Sequence, residues 1–432
     1  MSKTVDINEQ HVTRVEGHGN IRVRASDGAV EQVEWQVPEA PRFFEAMVRG
    51  RDYQDIQTIV SRICGICSVT HSLAAIKAIE AAMGISVSEQ TDKLRILTHY
   101  GEQLESHSLH VGYLVAPDLL GVNSVLPLVE SHPDVVKTII RIHRLGNDWM
   151  ELLGGRRTHP VTLRPGGFGK LPRESELKKL RNDLENIIPD LKTVAQVIGD
   201  LAPKLPAFNR DTEYISLLNE GEYSFYHGRI ASTDTEETKD VDEFESVVNE
   251  YVSPQSTAKW TRWHRDAYAV GALARFNLNA EELKPLAKET AQNLGLTQGC
   301  CNPFMNNVAQ VVECVQVVEH GIELLDDVLS QGIEEEVPAP KPAPGTGVGC
   351  VEAPRGILFH KYSFDEHGVC QGGNICIPTN QNHANIQKDF ESFVPQIIDR
   401  DQEEVRLLLE MLVRSYDPCI SCSTHYLNVD FV

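Results

Sequence analysis

Between Gly19 and Val37 the chain reads GNIRVRASDGAVEQVEWQV, alternating apolar and polar residues on either side of Ser26-Asp27-Gly28. That period-two pattern around a turn tripeptide predicts a β-hairpin. The period then lengthens. In HSLAAIKAIEAAMG, residues Leu73, Ile76, Ile79 and Met83 share one helical face, and Gly84 ends the run. Segments 92–116, 133–153 and 174–202 have the same spacing, the last through Leu177, Leu180, Leu184, Ile187, Ile188 and Leu191. From about 205 to 260 the pattern weakens around STDTEETKDVDEFES, which predicts a surface excursion with short strands.

A long helix is predicted in NNVAQVVECVQVVEHGIELLDDVLS, and an extended loop in EEEVPAPKPAPGTGVG. The loop's Gly345, Gly347 and Gly349 lack the strand and Lys-Ser/Thr context of a phosphate cradle. ILFHKYSF and VCQGGNICIPT form a second hairpin, turning at Asp365 to Gly368, and a final helix covers about 394–415. The fold class is therefore mainly α with small β-hairpins (α+β), in one large domain. Its expected parts are an N-terminal hairpin region 1–40, a helical core 41–204, the excursion 205–260, a second core 261–425 and a tail 426–432.

A net charge of −22 over 432 residues excludes nucleic acid or an anionic membrane surface as the main partner. No stretch approaches the roughly 18–20 apolar residues of a membrane span. The start, MSKTVDINEQ, lacks the apolar core of a secretory signal, so a cytoplasmic location is expected.

Of the ten cysteines, Cys314 sits in the apolar run VVECVQVV and reads as core. Four form two C-x-x-C pairs, Cys64 with Cys67 in RICGIC and Cys419 with Cys422 in DPCISC. Together they supply four thiolates, enough to hold a thiophilic metal, and on spacing alone structural zinc stays open beside other metals. Arg62 and His71 flank the first pair, Pro418 and His425 the second. His71, at the start of a predicted helix, can donate a hydrogen bond to the Cys67 sulfur.

Beyond the pairs, RVEGHG at 14–19, RICGICSVTH at 62–71, GGRRTHP with PGG at 154–167, EAPRG at 352–356 and DPCISCSTH at 417–425 occur in an order that closely resembles the large, catalytic subunits of nickel–iron hydrogenases. The resemblance implies that fold and the reversible, heterolytic cleavage of molecular hydrogen. It makes Cys64 and Cys419 terminal nickel ligands, and Cys67 and Cys422 bridges to an iron that carries carbon monoxide and cyanide. Pro354, Arg355, Leu358, Pro378 and Thr379 would line those diatomic ligands. Glu16 would take the proton from Cys419, with Arg355 as an electrostatic and positioning group tethered by Asp417. His107 and His110 fall near the site, and Ser106 stands where membrane-bound relatives have aspartate. Glu45, the Ile375 carbonyl and His425 would hold a magnesium or iron ion.

The other six cysteines lack iron–sulfur spacing, so electrons must pass to a small subunit with iron–sulfur clusters, and His159 is a candidate contact. Without a dinucleotide fingerprint, any NAD(P), flavin or deazaflavin belongs on further subunits, of diaphorase or heterodisulfide-reductase type. The resemblance leans to cytoplasmic, bidirectional enzymes of the NAD(P)-linked or sulfhydrogenase kind. Delivery to heterodisulfide reductase, ferredoxin or a deazaflavin is the alternative. A structural zinc protein and a non-catalytic relative of the complex I type are distant ones. The family also implies nickel-insertion chaperones and a maturation protease, here cutting between His425 and Tyr426.

Overall fold

The computed structural model describes residues 4–338 and 340–424. His425 and the tail 426–432 therefore lie outside the described residues. The N-terminal hairpin forms as strands β2 (Asn20–Ser26) and β3 (Ala29–Gln36), and β1 (Thr4–Glu9) adds a third antiparallel strand beside β2. Two short helices, α1 (Phe44–Val48) and α2 (Tyr53–Val60), lead to α3 (Ser68–Met83) and α4 (Glu89–Leu109). Gly84 ends α3 in the left-handed conformation, where glycine is unstrained. The periodicity predicted through residue 116 is interrupted by a π-helical turn at His110–Val115.

Helix α4 packs along Pro133–Gly154 and Asn306–Gln331, and Glu174–Leu201 packs on both of those helices. Their apolar faces make the main core, which continues around both cysteine pairs.

Three expectations need correction. The 205–260 stretch is not simply a surface excursion. Glu213–Leu218, Arg229–Ser232 and Thr235–Lys239, with Tyr268–Ala269, form a four-stranded sheet in which Tyr214, Ile215, Leu217 and Ile230 are buried. Only its acidic part is mostly exposed. The short strands expected there do form; their alternation was too weak to show that they are buried.

The final helix is two helices, Pro378–Ile397 and Gln402–Ser415, the second capped by Asp401 accepting from Glu403 N–H. The first begins PTNQNHANIQ, and its Asn380, Gln381, Asn382, His383, Asn385 and Gln387 are all buried. A buried face made of amides has no apolar period to find.

The predicted loop ends as a strand, Gly345–Ala353, paired antiparallel with Gly356–Phe364, which pairs in turn with Cys370–Cys376. Its glycines lie against α3. A Cβ on Gly345, Gly347 or Gly349 would come within 2.1, 2.3 or 2.0 Å of the carbonyl oxygens of Ala82, Ala78 and Ala74. Two strand residues advance about 6.7 Å and four helical residues about 6.0 Å, so glycine and alanine stay in step along this contact.

Candidate metal centre

The first cysteine pair is set by the start of α3. Cys64 is extended after a short 3-10 turn at Ser61–Ile63, and Cys67 occupies the position before the first helical residue. The Cys67 amide donates to the Cys64 sulfur at 3.1 Å. Glu102, from α4, caps the helix by accepting from the amides of Val69 and Thr70 at 2.6 and 3.0 Å. Burial pushes the Glu102 carboxyl up to about 8, against those donors.

The second pair is held by residues distant in sequence. Glu16 forms an isolated parallel bridge with Cys419, and its carbonyl accepts from Ile420 N–H at 2.9 Å. The Cys419 amide donates to Thr379 Oγ1 at 3.0 Å. His383 accepts from Trp35 Nε1 at 3.0 Å through Nδ1 and meets Ser423 Oγ at 2.9 Å through Nε2, so β3 supports the same turn. Arg42 joins the two pairs, donating to the carbonyls of Ile63 at 2.7 Å and Ser421 at 2.6 Å.

These supports bring the sulfurs of Cys64, Cys67, Cys419 and Cys422 within 4.8 Å of one another, all buried. Cys64 and Cys419 are 3.6 Å apart, and Cys419 and Cys422 are joined as a disulfide. Reduced to thiolates, the four form a soft, converging donor set that suits a thiophilic transition metal. The hydrogen bond with Cys67 lowers the Cys64 thiol to about 7 against burial, with help from Arg355. The same bond and burial raise Cys67.

Glu16 Oε2 lies 3.2 Å from the Cys419 sulfur and accepts from Ser421 N–H at 3.1 Å. Arg355 is buried; its Nε donates to the Asp417 carbonyl at 2.6 Å and its Nη2 to Asp417 Oδ1 at 3.0 Å. Burial disfavours the charged guanidinium, but Asp417, Cys67 and Cys64 outweigh it and raise its pKa above that of free arginine. Ser106 Oγ accepts from Nη1 at 3.4 Å. His110 and Gln310 also face Asp417, at 3.9 and 3.2 Å.

Pro354, Leu358, Pro378 and Thr379 are all buried. His71 meets His360 Nε2 through Nδ1 at 3.0 Å. Glu45 Oε1 accepts from the Ile375 amide at 2.8 Å, so these two come together, while their proposed partner His425 is outside the described residues.

Sequence reasoning did not find Arg42, Glu102, His383 or the cluster around Arg275. Arg275 is fully buried and donates to Glu313, to Glu352 at 2.9 Å, and to the carbonyls of Ala353 at 2.9 Å and Pro354 at 3.0 Å. Glu313 also meets His107 at 2.7 Å. Its only signal was a lone glutamate within VVECVQVV, beside a cysteine read as core.

Residues 42–152 and 197–425 match the family described as Nickel-dependent hydrogenase, and residues 6–40 match the description HoxL-like. The chain belongs to the nickel-dependent hydrogenase family. Its four buried cysteines are the metal-binding cluster of a nickel–iron hydrogenase large subunit. Similar hydrogenase subunits include the sulfhydrogenase 1 subunit alpha of Pyrococcus furiosus, 34% identical over 97% of each chain. The NAD-reducing hydrogenase HoxS subunit beta of Cupriavidus necator is 29% identical, over 96% of this chain and 94% of that one. Among solved structures, an NAD+-reducing nickel–iron hydrogenase in its hydrogen-reduced state superposes with a TM-score of 0.87 at 28% identity, covering 98% of this chain and 99% of that one. These relatives are named as subunits, so the hydrogenase works within a multi-subunit assembly. No described helix is long and apolar enough to cross a membrane.

Proposed function

We propose that this hydrogenase subunit moves the proton of hydrogen cleavage from Cys419 to Glu16, while Arg355 stays charged above the sulfurs. The observation that carries this reading is the 3.2 Å approach of Glu16 Oε2 to the Cys419 sulfur, set beside a guanidinium tied to Asp417 at two points. When bound, nickel and an iron carrying carbon monoxide and cyanide would supply an acceptor for the two electrons of molecular hydrogen, leaving two protons to be removed in turn.

Cys64 and Cys419 would hold nickel as terminal ligands, and Cys67 and Cys422 would be the two shared with iron. Glu16 is a carboxylate on a backbone tied to Cys419, so it follows the sulfur it serves. Positioned proton carriers of this kind typically contribute about 10²–10⁴ in rate. Arg355 holds its proton too firmly to act as a base. It balances the thiolate charge and, with Thr379, offers donors to cyanide, while Pro354, Leu358 and Pro378 supply apolar walls. His71 and Asp417 support this pocket. Glu45 and the Ile375 carbonyl, with His425, would hold a magnesium or iron ion.

Electrons leave past His159, whose Nδ1 is engaged by the Ser61 carbonyl at 2.8 Å, to an iron–sulfur small subunit. Similarity to both a sulfhydrogenase and an NAD-reducing hydrogenase supports a cytoplasmic assembly with diaphorase-type subunits that reduces NAD(P). Thr424 is buried and its carbonyl accepts from Arg42 N–H at 2.8 Å, which supports removal of the tail after His425 by a maturation protease, following nickel insertion by chaperones.

Metal analysis and infrared spectroscopy of the purified assembly test the reading. Nickel, iron, and carbon monoxide and cyanide bands are expected; zinc alone without such bands refutes it.

A further inference from the structure

Glu105, on α4, is a buried carboxyl group with no part in the chemistry described so far. The residue is 8% exposed, and among the described residues its Oε2 has no hydrogen-bond partner. Its Oε1 lies 3.7 Å from His143 Nδ1, on the helix Pro133–Gly154, which is too long for a hydrogen bond. A buried carboxyl left this open is unusual, because such groups are normally bonded.

One side of the group faces the metal centre. Three residues before it Glu102 caps α3, and one residue after it Ser106 accepts from Arg355 Nη1 at 3.4 Å. At about 100° per residue, Glu105 is about 60° round the helix from Glu102, so it flanks the face that meets the site. Burial pushes its carboxyl up to about 8; Arg355 works against that rise, while Cys64 and Asp417 add to it. Glu105 therefore senses the charge of the centre without touching a metal ligand.

The other side leads outwards through His143, whose side chain is 25% exposed. Its Nδ1 donates to the Glu105 carbonyl at 3.2 Å, and its Nε2 accepts from Asn147 Nδ2 at 3.2 Å. Burial lowers its pKa, against the bond to that carbonyl, so the ring is neutral at pH 7. Tyr113, from the π-helical turn, packs edge-on to the ring at 6.0 Å. The two helix backbones are in contact, since a Cβ on Gly146 would come within 2.7 Å of the Glu105 nitrogen. Only side chains have room to adjust, and a closure of about 0.7 Å puts Oε1 within hydrogen-bond range of Nδ1.

We propose that Glu105 and His143 form a proton-loading site coupled to the charge of the four-cysteine centre and separate from the path through Glu16. When the centre gains an electron, the added negative charge favours the neutral carboxyl. A proton from solvent then enters at His143 Nε2, and the Nδ1 proton passes to the Glu105 carboxylate. The ring is left neutral with its proton on Nε2 and resets by exchange with water. Loss of the electron reverses the transfer. The site requires only a centre that changes charge, and it works whether or not Glu16 carries the proton of hydrogen cleavage.

The test uses the metal-loaded hydrogenase assembly. Infrared difference spectra between its hydrogen-reduced and oxidised forms, in H2O and D2O, report carboxyl groups that gain or lose a proton. A redox-linked carboxyl band is expected that disappears in Glu105→Gln and persists in Glu16→Gln. The midpoint potential of the centre, followed by nickel electron paramagnetic resonance, should depend less on pH around 8 in Glu105→Gln than in wild type. His143→Gln should slow deuterium exchange into that carboxyl at least ~10-fold. Absence of such a band, its survival in Glu105→Gln, or a pH dependence equal to wild type overturns the proposal. Unchanged exchange in His143→Gln overturns the route through the imidazole.

Discussion

Arg355 holds Asp417 by backbone and side chain together, Nε on the carbonyl at 2.6 Å and Nη2 on Oδ1 at 3.0 Å. Asp417 itself has φ 49°, a conformation unusual for a residue other than glycine, and it stands two residues before Cys419. The fork therefore fixes a turn as well as a charge. Arg355→Lys keeps the charge and cannot span both oxygens. Hydrogen oxidation with a dye acceptor should fall at least ~10-fold, with nickel and iron content by elemental analysis unchanged; the scale is that of a misplaced active-site group.

Glu16→Gln preserves the shape that bridges to Cys419 but removes the titrating carboxyl. Hydrogen–deuterium exchange should drop by about 10²-fold while the infrared bands of the metal centre persist. Full exchange activity in a metal-replete variant would remove Glu16 from the proton path.

His383 makes acid stability measurable. Trp35 donates to its Nδ1, and burial lowers its pKa to about 3. A free histidine titrates near 6.5. Between those values the unfolded chain binds a proton that the folded chain refuses, so this contribution is complete above about pH 6.5 and is lost as pH falls towards 3. The loss from His383 is about 1.4 kcal/mol per pH unit. Denaturation curves at pH 7, 6 and 5 should show a shallower decline for His383→Gln; equal slopes would contradict the buried neutral imidazole.

Arg275→Met leaves Glu313 and Glu352 buried without their cation, and the Ala353 and Pro354 carbonyls without a donor. Breaking such a pair costs about 3–5 kcal/mol. Burial alone would raise Glu313, yet Arg275 and His107 hold it down to about 2. A large fall in denaturation midpoint is expected, and a midpoint within error of wild type would show that the cluster is not structural.

Gly347→Ala puts a methyl where the Ala78 carbonyl oxygen would lie 2.3 Å away. Overpacking of this kind costs about 1–3 kcal/mol. Thermal melting should register it, whereas Gly372→Ala, whose Cβ meets nothing within 4 Å, should melt close to wild type.

The sequence made the site's chemistry visible wherever a rare residue type carried it. The cysteine pairs, Glu16 in RVEGHG and Arg355 in EAPRG stand out because each has a motif around it. Arg42, Arg275 and His383 do not, since each is a single polar residue whose partners are supplied by tertiary packing. Helices with an apolar stripe were legible in the same way. Pro378–Ile397 was missed because the buried face of its first turns is made of amides bonded to backbone groups and to side chains such as Tyr268, Arg210 and Tyr416, so hydrophobic periodicity could not report it.

The glycine strand fixes a distance. Its contact with α3 runs from Gly345 beside Ala82 to Gly349 beside Ala74, two residues of strand to four of helix. The strand ends at Ala353 and the helix begins at Ser68, so the contact holds the segment that carries Arg355 beside the turn that carries Cys64 and Cys67. The missing Cβ atoms are thus a ruler laid between two catalytic segments nearly three hundred positions apart. Thickening it by one methyl would press the strand that leads to Arg355 away from the helix that follows Cys67.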